Sequence, residues 1–178
     1  MTTRDTPWPD GTPCWADLGA PDMAKAREFY GDVFSWAVQP GAPETGGYSV
    51  AELDGRGVAG IGPKMGPPEA PTVWVTYLAT SDGYEYGEPS GEVLSYATFK
   101  VDGRDVGGIG ALRAGVPADT PPSWRVYFGA ADTDASVARV QANGGSVIFE
   151  PIDHPYGRLS TVADDQGARF SLLGLTPG

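Results

Sequence analysis

Trp15 and Asp17 stand two residues apart in the stretch from Cys14 to Ala20, which reads as a short strand. Successive side chains on a strand point to opposite faces, so these two share one face while Cys14, Ala16 and Leu18 share the other. A carboxylate beside aromatic rings can anchor a cation or do general acid/base work. The plainer reading is that Asp17 hydrogen-bonds a turn or a tyrosine. Tyr77 and Tyr127 fall at the same phase on later strands, with Arg125 beside the latter, and Tyr48 and Tyr96 open two hairpin strands. Such a set stacks on and hydrogen-bonds a flat or cationic ligand, or packs as core. His154, the only histidine, is expected in a Pro-flanked loop with Tyr156 and Arg158, as a gate residue or simply at the surface. Cys14, on the other face, is expected to be a buried small hydrophobe.

The elements that position these residues follow from local signals. Asp22 stands at a helix N-cap, and Ala26, Phe29, Tyr30 and Val33 then recur at the i, i+3, i+4, i+7 spacing of an amphipathic helix on a sheet. Strand character from Tyr48 to Leu53, the turn pair Asp54-Gly55 and the Gly-interrupted run Val58–Gly62 complete a βαβββ unit. Thr72–Ala79 is a further strand with no helix after it, and Leu94–Gly110 is another hairpin. A last complete unit begins with a strand at Trp124–Gly129 and a helix capped near Asp132 and ended by Asn143-Gly144-Gly145. It closes with strands near 147–150, 158–163 and 168–173.

Internal repetition ties these pieces together. Tyr48–Pro63 and Tyr96–Ala111 agree at eight of sixteen positions without a gap, including Asp-Gly-Arg and Gly-Ile-Gly. Trp74-x-x-Tyr77 and Asp82 recur as Trp124-x-x-Tyr127 and Asp132. The expected organisation is an arm over 1–12, a first βαβββ unit over 13–64, a linker at 65–71, a helix-less middle unit at 72–111, a linker at 112–121 and a last unit at 122–178.

Length and composition bound what such a chain does. A chain of 178 residues with 26 Gly and 17 Pro suits many short strands joined by turns. The formal net charge of −11 argues against nucleic acid, which needs Lys and Arg clusters, and favours a cationic small molecule. One cysteine excludes an internal disulfide and a thiolate zinc cluster. With no signal-peptide pattern and no long apolar run, a cytoplasmic protein without membrane association is the expectation.

The pattern Pro-Asp-x-x-x-Ala-x-x-Phe-Tyr-Gly-x-Val-Phe-x-Trp at 21–36, together with Gly-Arg-x-x-x-x-Ala-Asp-x-Gln-Gly-Ala-x-Phe at 157–170, resembles the glyoxalase/bleomycin-resistance/dioxygenase, or vicinal oxygen chelate, superfamily. Cys-Trp-x-Asp-Leu at 14–18 and the Asp-Gly-Arg hairpins are similar to its actinobacterial two-domain subgroup, whose members often carry a hydroxylase label. The resemblance implies an α+β fold of repeated βαβββ units forming curved mixed sheets around a cleft. That subgroup has four units, so the helix-less middle implies an internal deletion, with the junction near 80–92. The remaining units must then pair with each other or with a second copy, which implies a homodimer, strand- or domain-swapped.

The resemblance also implies a divalent metal, but the positions that would hold it are Trp15, Val75, Arg125 and Ser171. Tryptophan and valine cannot ligate a metal and arginine stays protonated. The expectation is therefore no metal and no cofactor. Two functions remain open. One is metal-free sequestration of a small, cationic or planar natural-product-like molecule, with Trp15, Tyr48, Tyr77, Tyr96, Arg125, Tyr127 and Arg158 as ligand contacts. The other is a metal-independent enzyme using Asp17, aided by His154, as general acid/base.

Overall fold

The computed structural model describes residues 6, 8–9, 11–79, 85–86, 96–101, 103–110, 123–154 and 157–174. The expected 112–121 linker, Tyr156, most of the 80–92 junction and most of the N-terminal arm lie outside them. Contacts divide the chain into two compact units. One is built from Ala16–Val75 and the stretch from Arg125 onward; the other centres on Thr76–Trp124 together with the chain just before Ala16.

In the first unit, β1 (Pro13–Ala20) leads through Asp22 into α1 (Met23–Phe34). The Asp22 carboxylate accepts the amides of Ala24 and Lys25, satisfying donors that the first helical turn leaves open. Ala26, Phe29, Tyr30 and Val33 are buried, as their spacing requires. Then come β2 (Ala37–Val38), β3 (Ser49–Leu53), β4 (Arg56–Pro63) and β5 (Trp74–Leu78), forming a sheet of order β2-β3-β4-β1-β5. Asp54 and Gly55 both have positive φ, as a two-residue hairpin turn demands.

The second unit contains β6 (Glu85–Tyr86), β7 (Tyr96–Val101) and β8 (Arg104–Gly110), with no helix between β5 and β6 among the described residues. Tyr96 opens β7 opposite Gly110, and its side chain is outside the described part of the molecule.

The chain returns to the first unit with β9 (Tyr127–Ala130), α2 (Thr133–Ala142) capped by Asp132, and then β10 (Ser146–His154), β11 (Gly157–Ala163) and β12 (Arg169–Gly174). Their order, β10-β11-β12-β9, repeats β2-β3-β4-β1. β10 is longer than expected and runs through Pro151. It is an edge strand with a register shift between Phe149 and Ile152, the setting in which a sheet tolerates proline. His154 therefore ends a strand opposite Gly157 rather than lying in a loop, and it is exposed. Cys14 also departs from expectation. It is half-buried, and its thiol donates to the Tyr77 carbonyl.

The two βαβββ halves share one core on their helix sides. Tyr30 and Phe34 of α1 lie against Phe170 of β12, and Phe34, Trp36 and Trp74 against Phe128 of β9, with ring centroids 5.0–5.9 Å apart. Edge-to-face and tilted contacts of this kind add to the burial itself. One polar chain runs through this cluster. Trp74 Nε1 donates to the Tyr30 hydroxyl at 3.0 Å, and that hydroxyl donates to Asp164 Oδ2 at 2.8 Å. Asp164 Oδ1 accepts the amides of Gln166 and Ala168, and the Gln166 side chain brackets Asp22 at both its N–H and its C=O. The turn between β11 and β12 thus holds the entrance of α1.

Burial pushes the Asp164 carboxyl above its ordinary 3.8, the bonds from Tyr30, Ala168 and Gln166 pull it back, and nearby Asp165 adds to the rise. A raised folded-state value means that folding takes up a proton. The stability from this group is then full below the ordinary value and is lost as pH rises through the raised one. The melting temperature of the wild type relative to Asp164→Asn should therefore fall as pH is raised from about 4 towards neutrality, read by circular dichroism. A constant difference would show that Asp164 does not titrate differently in the folded state.

Candidate functional site

The helices and core lie on one side of the first unit's two sheets, and the other side carries the alternate residues of the strands. On the first sheet, Asp17 pairs in register with Gly60, and Gly60 with Val50, so one row across β1, β4 and β3 reads Asp17, Gly60, Val50. The helix side of the same strands carries Ala16, Leu18, Ala20 and Ile61, all buried. The alternation expected from the sequence places Asp17 as predicted.

Tyr48 completes the row. Gly46 and Gly47, both at positive φ, turn the chain into β3, and Tyr48 immediately precedes that strand. Its phenol donates to Asp17 Oδ1 at 2.6 Å. The ring occupies the space left by two glycines. A Cβ built on Gly60 would lie 1.8 Å from the Tyr48 hydroxyl oxygen and 2.2 Å from Asp17 Oδ1, and one on Gly62 would lie 3.2 Å from the ring. Both Asp17 and Tyr48 are half-buried. The arrangement is a carboxylate held by a phenol on a floor of bare backbone. It can pair with a cation, present an aromatic edge or face to a planar molecule, and relay a proton between phenol and carboxylate.

The other expected site residues with described side chains take the following places. Trp15 shares the strand phase of Asp17 on β1, while Tyr77 is half-exposed on β5 within the second unit. Arg125 is exposed just before β9. Counting back from the capping aspartates puts Tyr127 at the place of Asp17, and the register agrees, with Tyr127 opposite Ser171 as Asp17 is opposite Gly60. Tyr127 is 51% exposed. Ser171 is fully buried and shares a 3.0 Å hydrogen bond with Thr161. Arg158 is committed elsewhere. Its guanidinium bonds Asp134 at 2.5 and 2.9 Å and Asp153 at 3.0 Å, which raises its own pKa and lowers that of Asp134. It links β11 to the first turn of α2. The glycines of Val58–Gly62 were expected to mark a bulge or a close approach of another backbone or a ligand, and what comes close at Gly60 and Gly62 is the Tyr48 side chain.

A scan against family models matches residues 15–172 to the glyoxalase/bleomycin resistance protein/dioxygenase superfamily. The chain belongs to this superfamily. Among curated proteins it is 27% identical to CFP32 of Mycobacterium tuberculosis, whose name calls it a glyoxylase, over 94% of this chain and 96% of that protein. It is 28% identical to the anthracycline biosynthesis protein DnrV of Streptomyces peucetius, over 94% of each chain. The alignment with CFP32 runs over 253 positions against the 178 residues here, so at least 75 of its positions have no counterpart in this chain. Among solved structures, a glyoxalase/bleomycin resistance protein/dioxygenase family enzyme from Burkholderia phytofirmans superposes with a TM-score of 0.50 at 10% identity, covering 93% of this chain and 99% of that one. The fold is accordingly α+β and glyoxalase-like, and the superfamily includes proteins that bind small molecules.

Members of the superfamily commonly hold a divalent metal on their concave strands, and the residues here do not fit one. Trp15 and Val75 offer no donor, Arg125 is cationic, and the Ser171 hydroxyl is already engaged with Thr161. Among the described residues no three His, Cys, Asp or Glu side chains converge. Stoichiometric zinc or manganese should therefore leave the melting temperature unchanged after dialysis against chelator. An increase of several degrees at micromolar metal would reveal a site these residues do not account for.

Proposed function

We propose that the face of the first sheet carrying Asp17 binds a small planar, cationic natural product, with Asp17 as its charge anchor and Tyr48 as its aromatic contact. The observation that carries this reading is the Tyr48–Asp17 pair seated on the Gly60–Gly62 floor. The net charge of −11 favours a cationic ligand. The superfamily's bleomycin-resistance members and the anthracycline biosynthesis relatives point to the same chemical class, since an anthracycline joins a flat ring system to an amino sugar.

A second reading is favoured by one feature. The 2.6 Å phenol–carboxylate contact is also the arrangement of a proton relay, so the same pair would serve a metal-independent enzyme as acid and base. His154, exposed at the end of β10, would then act in a role separate from this pair. A homodimer belongs to the same proposal. It is supported by the edge strand β10, which exposes Ile148, Phe149 and Ile152, and by the relatives' unmatched positions. Sedimentation at micromolar concentration should give twice the chain mass, and a monomer at all concentrations would remove this part of the proposal.

Binding is tested with the anthracycline daunorubicin and its N-acetyl derivative, read by quenching of probe fluorescence. Losing a charge-assisted hydrogen bond is worth about 1.5–3 kcal/mol, so Asp17→Asn should weaken the amine-bearing probe roughly tenfold or more. The acetylated probe should bind weakly to both proteins. Equal affinity of wild type and variant for the amine would overturn the anchor role of Asp17. Conversion of the probe by wild type but not by Asp17→Asn would select the enzymatic reading.

A further inference from the structure

We propose that Gly60 is the positioning residue of the Asp17 site, its missing side chain being the notch that seats the Tyr48 phenol on the carboxylate. This rests on the reading of Asp17 as ligand anchor and adds what sets the shape and chemistry of that anchor. A ligand then meets a phenol-held carboxylate of fixed direction rather than a lone aspartate.

The geometry leaves little alternative. Any Cβ at position 60 would overlap both partners of the 2.6 Å bond, at 1.8 and 2.2 Å, distances that real Cβ atoms do not reach. The backbone at Gly60 does not itself require glycine, because its φ is not among the positive values. What position 60 needs is the absence of a side chain, not conformational freedom. An alanine there is compatible with the strand, and the nearest atoms it would meet belong to Tyr48 and Asp17.

The last unit supplies an internal comparison. In the same register, Ser171 fills the position of Gly60 and Tyr127 that of Asp17. There the Ser171 hydroxyl turns to Thr161, and the row ends in the partly exposed Tyr127 and Phe149. With the notch filled, that face has neither the carboxylate nor the seated phenol. The two faces are topologically alike and chemically unequal, and the notch marks the difference.

The test is Gly60→Ala, with Tyr48→Ala and the double variant as companions, in two measurements. The first needs no ligand. In carbon-13 carboxyl and tyrosine-ring spectra, Gly60→Ala should shift the Asp17 carboxyl and Tyr48 ring resonances while leaving the buried Tyr30 and Phe170 rings in place. The second is daunorubicin affinity. Gly60→Ala should weaken it by roughly tenfold, the scale of a lost charge-assisted bond. In the Tyr48→Ala background the same change should cost little, the non-additivity expected of residues that share one contact. Unmoved Asp17 and Tyr48 resonances in Gly60→Ala would overturn the notch. So would additive losses of affinity in the double variant. If wild type binds no probe while Gly60→Ala moves both resonances, the notch stands and the ligand class is what fails.

Discussion

The packing of the first unit's two halves depends on what Tyr30 does inside. Its ring sits among Phe29, Phe34, Trp36, Trp74 and Phe170, and its hydroxyl joins Trp74 to the carboxylate of Asp164. A buried carboxylate is costly unless its oxygens are satisfied, and here three donors satisfy them. The bond links a helix of the N-terminal half to a turn of the C-terminal half, 134 residues apart. Removing either partner would strand a buried polar group, at about 1–3 kcal/mol, so the network favours this one packing of the two halves over looser ones.

That packing has a consequence for function. Because the halves meet through their helix sides, the sheet faces carrying Asp17 and Tyr127 are both left outside the core. The alignment with CFP32 has at least 75 positions without a counterpart in this chain. A groove lined by Lys25, Glu28, Phe29, Asn143 and Asp165 lies on the helix side, and none of the residues singled out for chemistry is in it.

Much of this was legible in the sequence, for local reasons. Asp22 and Asp132 as caps, Asp54-Gly55 as a hairpin turn and the two faces of β1 each depend on a few neighbouring residues. What was not legible depends on register between distant strands. That Tyr48 reaches Asp17 requires knowing that β4 lies between them and is bare at Gly60. That Arg158 is spent on Asp134 and Asp153 requires knowing that α2 starts beside β11. Pro151 suggested a loop because proline breaks most strands, and the edge position and bulge that excuse it are tertiary facts. Of the two roles weighed for Asp17, bonding a tyrosine is what the fold displays, and the ligand-facing role is built on top of that bond.

The central claim is that the Tyr48–Asp17 pair on its glycine floor is where the ligand sits. A crystal structure of the chain soaked with daunorubicin tests it most directly. The account predicts one molecule per chain, its amine at Asp17 and its ring system against Tyr48 and the Gly60–Gly62 strand. A probe bound instead at Tyr127 and Ser171, or in the groove beside Phe29, would contradict it.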